Sequence, residues 1–308
     1  MSAVMNTVKP PRKRSHRGDE LTAWVFVFPV VAGILLFNVY PIVFSLYISF
    51  TRWNLITPPT WVGLGNYVHL FTADPTFFLT LRNTLIYAFC TVFIGMFLAL
   101  SLALLLNMKI AGQSLFRAII FVPVIVPTAA AALTWAWLYD ASSAGIINAG
   151  LKFFGVAPVP WLTNTHVALW AVIIEALWAQ LGFNAVIFLA GLQNIPEEYY
   201  EAAELDGANA WQRFIHITLP GISPITFFIL VTSLIAAIQV FDIPWVMTTG
   251  GPANATQMIV IYLYLNAFRL QRMGIATAMG YIVFMTILVV TFINFRLQKH
   301  WVFYEETT

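Results

Sequence analysis

Two carboxylic acids sit inside apolar runs: Glu175 in AVIIEALWAQ and Asp242 in AAIQVFDIPW. A charged carboxylate in the middle of a membrane helix costs about 2.5–3.5 kcal/mol, so such a residue is held where a cavity or a polar partner meets it. Trp178 follows Glu175, and Gln239 precedes Asp242, at the spacing i, i+3, which places each pair on one face of a continuous helix. Carboxylates and an amide can bond hydroxyl groups, and an indole plate suits the apolar face of a sugar ring. Glu175, Trp178, Gln239 and Asp242 are therefore expected to form a translocation surface for a carbohydrate. A second reading stands beside it, in which either acid is neutral and bonds a neighbouring helix as packing glue.

Reaction chemistry is otherwise scarce. His16, His69, His166, His216 and His300 show no metal-ligand spacing, and Cys90 stands alone in an apolar run. No G-x-x-x-x-G-K-[ST] loop is present, so nucleotide hydrolysis would have to come from another chain. No catalytic residue, metal or cofactor is expected on this chain.

The densest polar stretch runs from Asn194 to Pro220 and holds Glu197, Glu198, Glu201, Glu204 and Asp206, five of the 13 acids. Pro196 suits a helix start, and acids in the first turn complement the helix dipole. Gly207 permits a turn or a close backbone approach after Asp206. Trp211, Phe214 and Ile215 form an apolar stripe on a second short helix that Pro220 ends. The segment reads as a helix–turn–helix with a small-residue surface (Ala202, Ala203, Gly207, Ala208) and an aromatic anchor.

This segment resembles the "EAA" loop in the membrane-spanning subunits of binding-protein-dependent ABC importers. The match rests on Glu201-Ala202-Ala203, Gly207 and Ile217-Thr218-Leu219-Pro220, in register and without gaps. Trp61 to Tyr67 and Thr249-Gly250-Gly251-Pro252 are similar to outer loops of the carbohydrate branch. The resemblance implies that residues 194–220 form a coupling helix docked in a cleft of an ATPase subunit. It assigns ATPase coupling to Glu201, Ala202, Ala203, Asp206, Gly207, Ala208, Trp211, Phe214, Leu219 and Pro220. It further implies a second, homologous permease subunit, ATP-binding subunits carrying ATP and Mg, and a periplasmic or lipid-anchored solute-binding protein. The implied fold is an all-α integral membrane bundle of six transmembrane helices, the type I permease bundle.

Composition supports a lipid environment: 60% of residues are hydrophobic and 9% charged, against about 25% charged in soluble domains. Residues 1–20 form a basic tail and residues 21–297 the membrane domain. Spans are expected near 21–47, 83–106, 118–138, 167–192, 222–247 and 274–295, and residues 298–308 form a second tail. The first run is too long for the apolar core of a signal peptide. Lys9, Arg12, Lys13, Arg14, Arg17, Lys109, Arg117, Arg213, Arg296 and Lys299 then fall inside, and Arg52, Arg82, Lys152, Arg269 and Arg272 outside. That bias puts both termini in the cytoplasm of a bacterial inner membrane. In this setting the basic tail is a topology signal, and no nucleic-acid partner is expected. The function expected is half of the pathway of an ATP-driven importer for a sugar or sugar-like solute. The alternative is an ion-coupled secondary transporter of a small polar solute, which should show internal repeats with interrupted helices.

Overall fold

In hydrocarbon a backbone has no water to bond, so apolar runs of this length cross as helices or not at all. A computed structural model describes residues 16–108, 112–142 and 145–303, and helices dominate it. The first fifteen residues of the basic tail, Lys109 and the end of the C-terminal tail lie outside the described residues. The helices are α1 (Trp24–Ser49, continuous with turns from His16), α2 (Gly65–Thr72), α3 (Pro75–Asn107), α4 (Gln113–Ile125), α5 (Thr128–Leu138), α6 (Ile146–Phe153) and α7 (Ala168–Gln193). They continue as α8 (Glu197–Leu205), α9 (Ala210–Gly221), α10 (Ser223–Ile238), α11 (Asp242–Thr248), α12 (Ile259–Arg269) and α13 (Met273–Leu297). Two short strands, β1 (Thr51–Arg52) and β2 (Thr60–Trp61), pair antiparallel beyond α1.

Among the described residues four helices (α1, α3, α7 and α13) are long and apolar enough to cross a membrane, and up to six crossings result if each bent pair counts as one. The first bent pair corrects the expectation of a single straight span over 118–138. Between α4 and α5 the chain turns by 99°. Val126 precedes Pro127 and is extended (φ −76°, ψ 128°), because proline's ring disfavours helical geometry in the residue before it. Helices α9 and α10 meet at 62°, and α10 stops at Ile238 rather than running on to residue 247. The second span also starts earlier than expected, at Pro75. Asp74 caps it by accepting the Phe77 N–H at 3.1 Å, and its other oxygen accepts the Tyr262 hydroxyl at 2.7 Å.

Helix α7 is the hub, packing against α3, α4, α5 and α11. Ala99 and Ala103 of α3 meet Ala185 and Phe188 of α7, all buried. Lipid is as apolar as these side chains, so close van der Waals packing of small residues joins the helices. Helix α1 has no buried residue in its most apolar stretch and joins the body near its C-terminal end, against α13.

Candidate functional site

The segment expected to couple to an ATPase is a compact pair of helices, α8 and α9, held by polar bonds. Gly207 adopts φ +79°, a left-handed conformation that costs other residues roughly 1–2 kcal/mol, and this turn reverses the chain between α8 and α9. Helix α9 opens with a capping box. Asn209 Oδ1 accepts the Gln212 N–H at 2.9 Å, and Gln212 Oε1 accepts the Asn209 N–H at 2.8 Å. Arg213 donates to Glu204 at 3.0 Å, and Tyr200 and Thr218 share a hydroxyl hydrogen bond of 3.0 Å. Both bonds tie α8 to α9.

Two parts of this geometry differ from expectation. Helix α9 does not end at Pro220. It passes through a π-helical stretch, Phe214–Thr218, and breaks at Ile222. A π turn is a usual way for a helix to absorb local strain, here two residues before a proline. The apolar stripe is also no internal anchor: Trp211 is 67% exposed and stacks on half-buried Phe214 at 5.7 Å, and Ile215 is exposed. Tyr200, Thr218, Glu204 and Arg213 do the anchoring. The i, i+3 to i, i+4 reading sees only intrahelical pairs, and all of these bonds join two helices.

Glu201, Ala202, Asp206, Gly207 and Leu219 are exposed, and Ala203, Ala208 and Pro220 half-buried. Ala202, Ala203, Asp206 and Pro220 line a cleft of about 720 Å³ with Tyr199, His216 and Phe303. The far side of the turn opens a second cleft of about 320 Å³, lined by Ala203, Asp206, Gly207 and Ala208 among others. Glu197, Glu198, Glu201 and Asp206 face solvent, and the ion pair Glu204–Arg213 is the one seen among the described residues. The C-terminal end returns to this region. Phe303 donates its N–H to Ser223 Oγ at 2.9 Å, and Trp301 and Phe295 pack edge-on against Phe227 of α10.

The four residues expected to form a translocation surface stand in different settings. Glu175 is fully buried, and neither carboxylate oxygen has a hydrogen-bond partner among the described residues. Tyr87 of α3 and Tyr139 beyond α5 lie within electrostatic range of it. Trp178 is half-buried on the same helix, edge-on to Trp135 at 5.6 Å. Gln239 and Asp242 share no helix: Gln239 caps the end of α10, and Asp242 opens α11. Both are exposed. The break between them removes the i, i+3 relation. Helix α11 still packs on α5 and α7, so both chain breaks come to the helix that carries Glu175 and Trp178. Trp135 and Trp245 join aromatic clusters, Trp245 stacking on Phe241 at 5.5 Å.

The pattern of the family described as "Binding-protein-dependent transport system inner membrane component" matches residues 76–302. The chain belongs to this family. It is a multi-pass permease subunit of an ABC importer, a transport component of the inner membrane. It is 38% identical over 298 residues to a probable ABC transporter permease, YesP, of Bacillus subtilis, covering 96% of each chain. It is 35% identical to the arabinooligosaccharides transport system permease AraP of the same organism, covering 89% of this chain and 88% of AraP. Against the trehalose/maltose transport system permease MalF of Thermococcus litoralis it is 35% identical, covering 93% of this chain and 96% of MalF. Among solved structures, a bacterial ABC transporter involved in the import of the acidic polysaccharide alginate superposes with a TM-score of 0.81. That match covers 92% of this permease and 97% of that chain at 24% identity. The permease therefore has the type I importer fold. Nothing in these matches favours an ion-coupled transporter.

Proposed function

We propose that this permease forms half of the pathway for a carbohydrate and pairs with a second, similar permease. An ATP-hydrolysing subunit drives it through α8 and α9. The exposed, hydrogen-bonded helix pair carries the proposal. Four unpaired acids and an exposed Trp211 give it the character of a docking element, and its bonds to Thr218 and Arg213 let it move as a rigid body. Motion of the pair passes through the 62° junction at Ile222 into α10, and through the Phe303–Ser223 contact into the end of the chain. ATP and Mg belong to the partner subunit. A solute-binding protein delivers the cargo on the opposite side, and both termini face the ATPase.

The carbohydrate reading draws on the relatives named for arabinooligosaccharides and for trehalose and maltose. The two chain breaks support it, because discontinuous helices expose backbone groups that can bond a polar solute within a membrane. On this reading Trp178, Gln239 and Asp242 face the solute, and Glu175 acts from behind them. Reconstitution with the ATP-binding subunits and a solute-binding protein, followed by uptake of labelled oligosaccharides, tests it. Uptake that continues without any nucleotide-hydrolysing subunit would refute it.

A further inference from the structure

We infer that the outer flank of α1 and α13, at the end away from the coupling segment, is a binding site for an anionic phospholipid. Two neighbouring features carry this. The first is a cleft of about 530 Å³ between the β1–β2 hairpin, α2 and the start of α13. Arg52, Arg272 and His69 line it beside Trp53 and Gln271, and no acid does so among the described residues. Neither arginine takes part in an ion pair among the described residues. The second is an apolar groove of about 580 Å³ between the same two helices, bounded by Leu46, Phe50, Ile282, Met285 and Val289.

The two features are stacked along one stripe of α13. Ile275 lines the cleft and Ile282 the groove, two helical turns apart and so about 10 Å along the axis. Tyr67 lies in the groove wall, and its neighbour Asn66 lines the cleft. A phospholipid has the same layout, with an anionic phosphate above a long acyl chain. The aromatic residues Tyr47, Phe50 and Trp61 cluster here, with ring centroids 5.6–6.0 Å apart, as expected at the headgroup level of a bilayer. An acidic side chain of a protein partner would satisfy the guanidinium groups and leave the groove below unfilled.

The cleft is built before any ligand arrives. Asn66 Nδ2 donates to the carbonyls of Ser49 and Thr51, each at 2.8 Å, and the Met273 N–H donates to the Trp53 carbonyl at 2.9 Å. A Cβ on Gly274 would come within 1.9 Å of the Thr51 carbonyl, so only glycine lets α13 meet the hairpin here. Gln271 holds a left-handed backbone (φ +53°), a strained conformation of the kind found at ligand clamps.

The test titrates phosphatidylglycerol into the importer complex in dodecyl maltoside and counts bound lipid by native mass spectrometry. Wild type is expected to retain the lipid, and the double variant Arg52→Gln, Arg272→Gln to bind it about tenfold more weakly. Met285→Trp, which fills the groove and keeps both arginines, should also weaken it, and decides the matter if the double variant does not fold. Equal lipid binding by wild type and both variants would overturn the inference. So would competition by glycerol phosphate as strong as that by phosphatidylglycerol, since an anion site without a groove would then suffice. Unchanged lipid binding with lost association of the solute-binding protein would overturn it in favour of a protein-docking surface.

Discussion

The same acid stands in two opposite settings in this molecule. Glu204, on α8, is exposed and pairs with Arg213 of α9 at 3.0 Å. Glu175, at the hub helix, is fully buried and both its oxygens lack a partner. In water a carboxylate keeps its hydration and gains little from an ion pair. In the core it has given up hydration and gained nothing in return, at a cost of about 1–3 kcal/mol. Stability therefore accounts for neither residue's position in the same way. The α8–α9 pair is held by small polar bonds at a surface, and the Glu175 region by tight apolar packing that tolerates one costly group. A costly group that persists beside two chain breaks is what a transport pathway would be expected to contain.

Four substitutions sharpen this contrast. The largest effect is expected from Gly207→Trp, which strains the left-handed turn and adds bulk on a side where an added Cβ would meet no atom within 4 Å. Membrane insertion should be normal, and transport-coupled ATPase activity should fall at least about tenfold, as for loss of a buried contact of ~1.4 kcal/mol or more. Normal coupling in that protein would remove the docking role. Second, Glu175→Leu should raise the detergent unfolding midpoint, reflecting about 1–3 kcal/mol of relieved burial cost, while uptake declines. A stability loss instead would mean that Glu175 is structural glue.

Third, Tyr200→Phe deletes the bond to Thr218 and should cost about 1 kcal/mol. Hydrogen exchange should then quicken in α8 and α9 and stay unchanged in α7. The smallest effect is expected from Arg213→Gln. An exposed pair contributes about 0.2–1 kcal/mol, and salt should erase even that difference in thermal unfolding.

Much of the architecture was legible in the residues alone. Long apolar runs force helices in lipid, and the polar Glu201-to-Pro220 stretch marks a helix pair with a turn at Gly207, which the resemblance to the EAA loop singles out. Transport was read from the likeness of that segment to the EAA loop together with the apolar runs around it. Pro127 is plain in the sequence, but the 99° turn beside it appears only in the structure.

Tertiary structure alone decided which faces meet what. It sealed Glu175 among helices, separated Gln239 from Asp242 by ending α10 at Ile238, and turned Trp211 outward. The physical reason is that lipid and protein core are both apolar, so a span carries almost no amphipathic pattern to tell its inner face from its outer one. Where water supplies the contrast, as in α8 and α9, periodicity marks a helix and its surface. Where it does not, only the packed neighbours can say which side of a helix is inside.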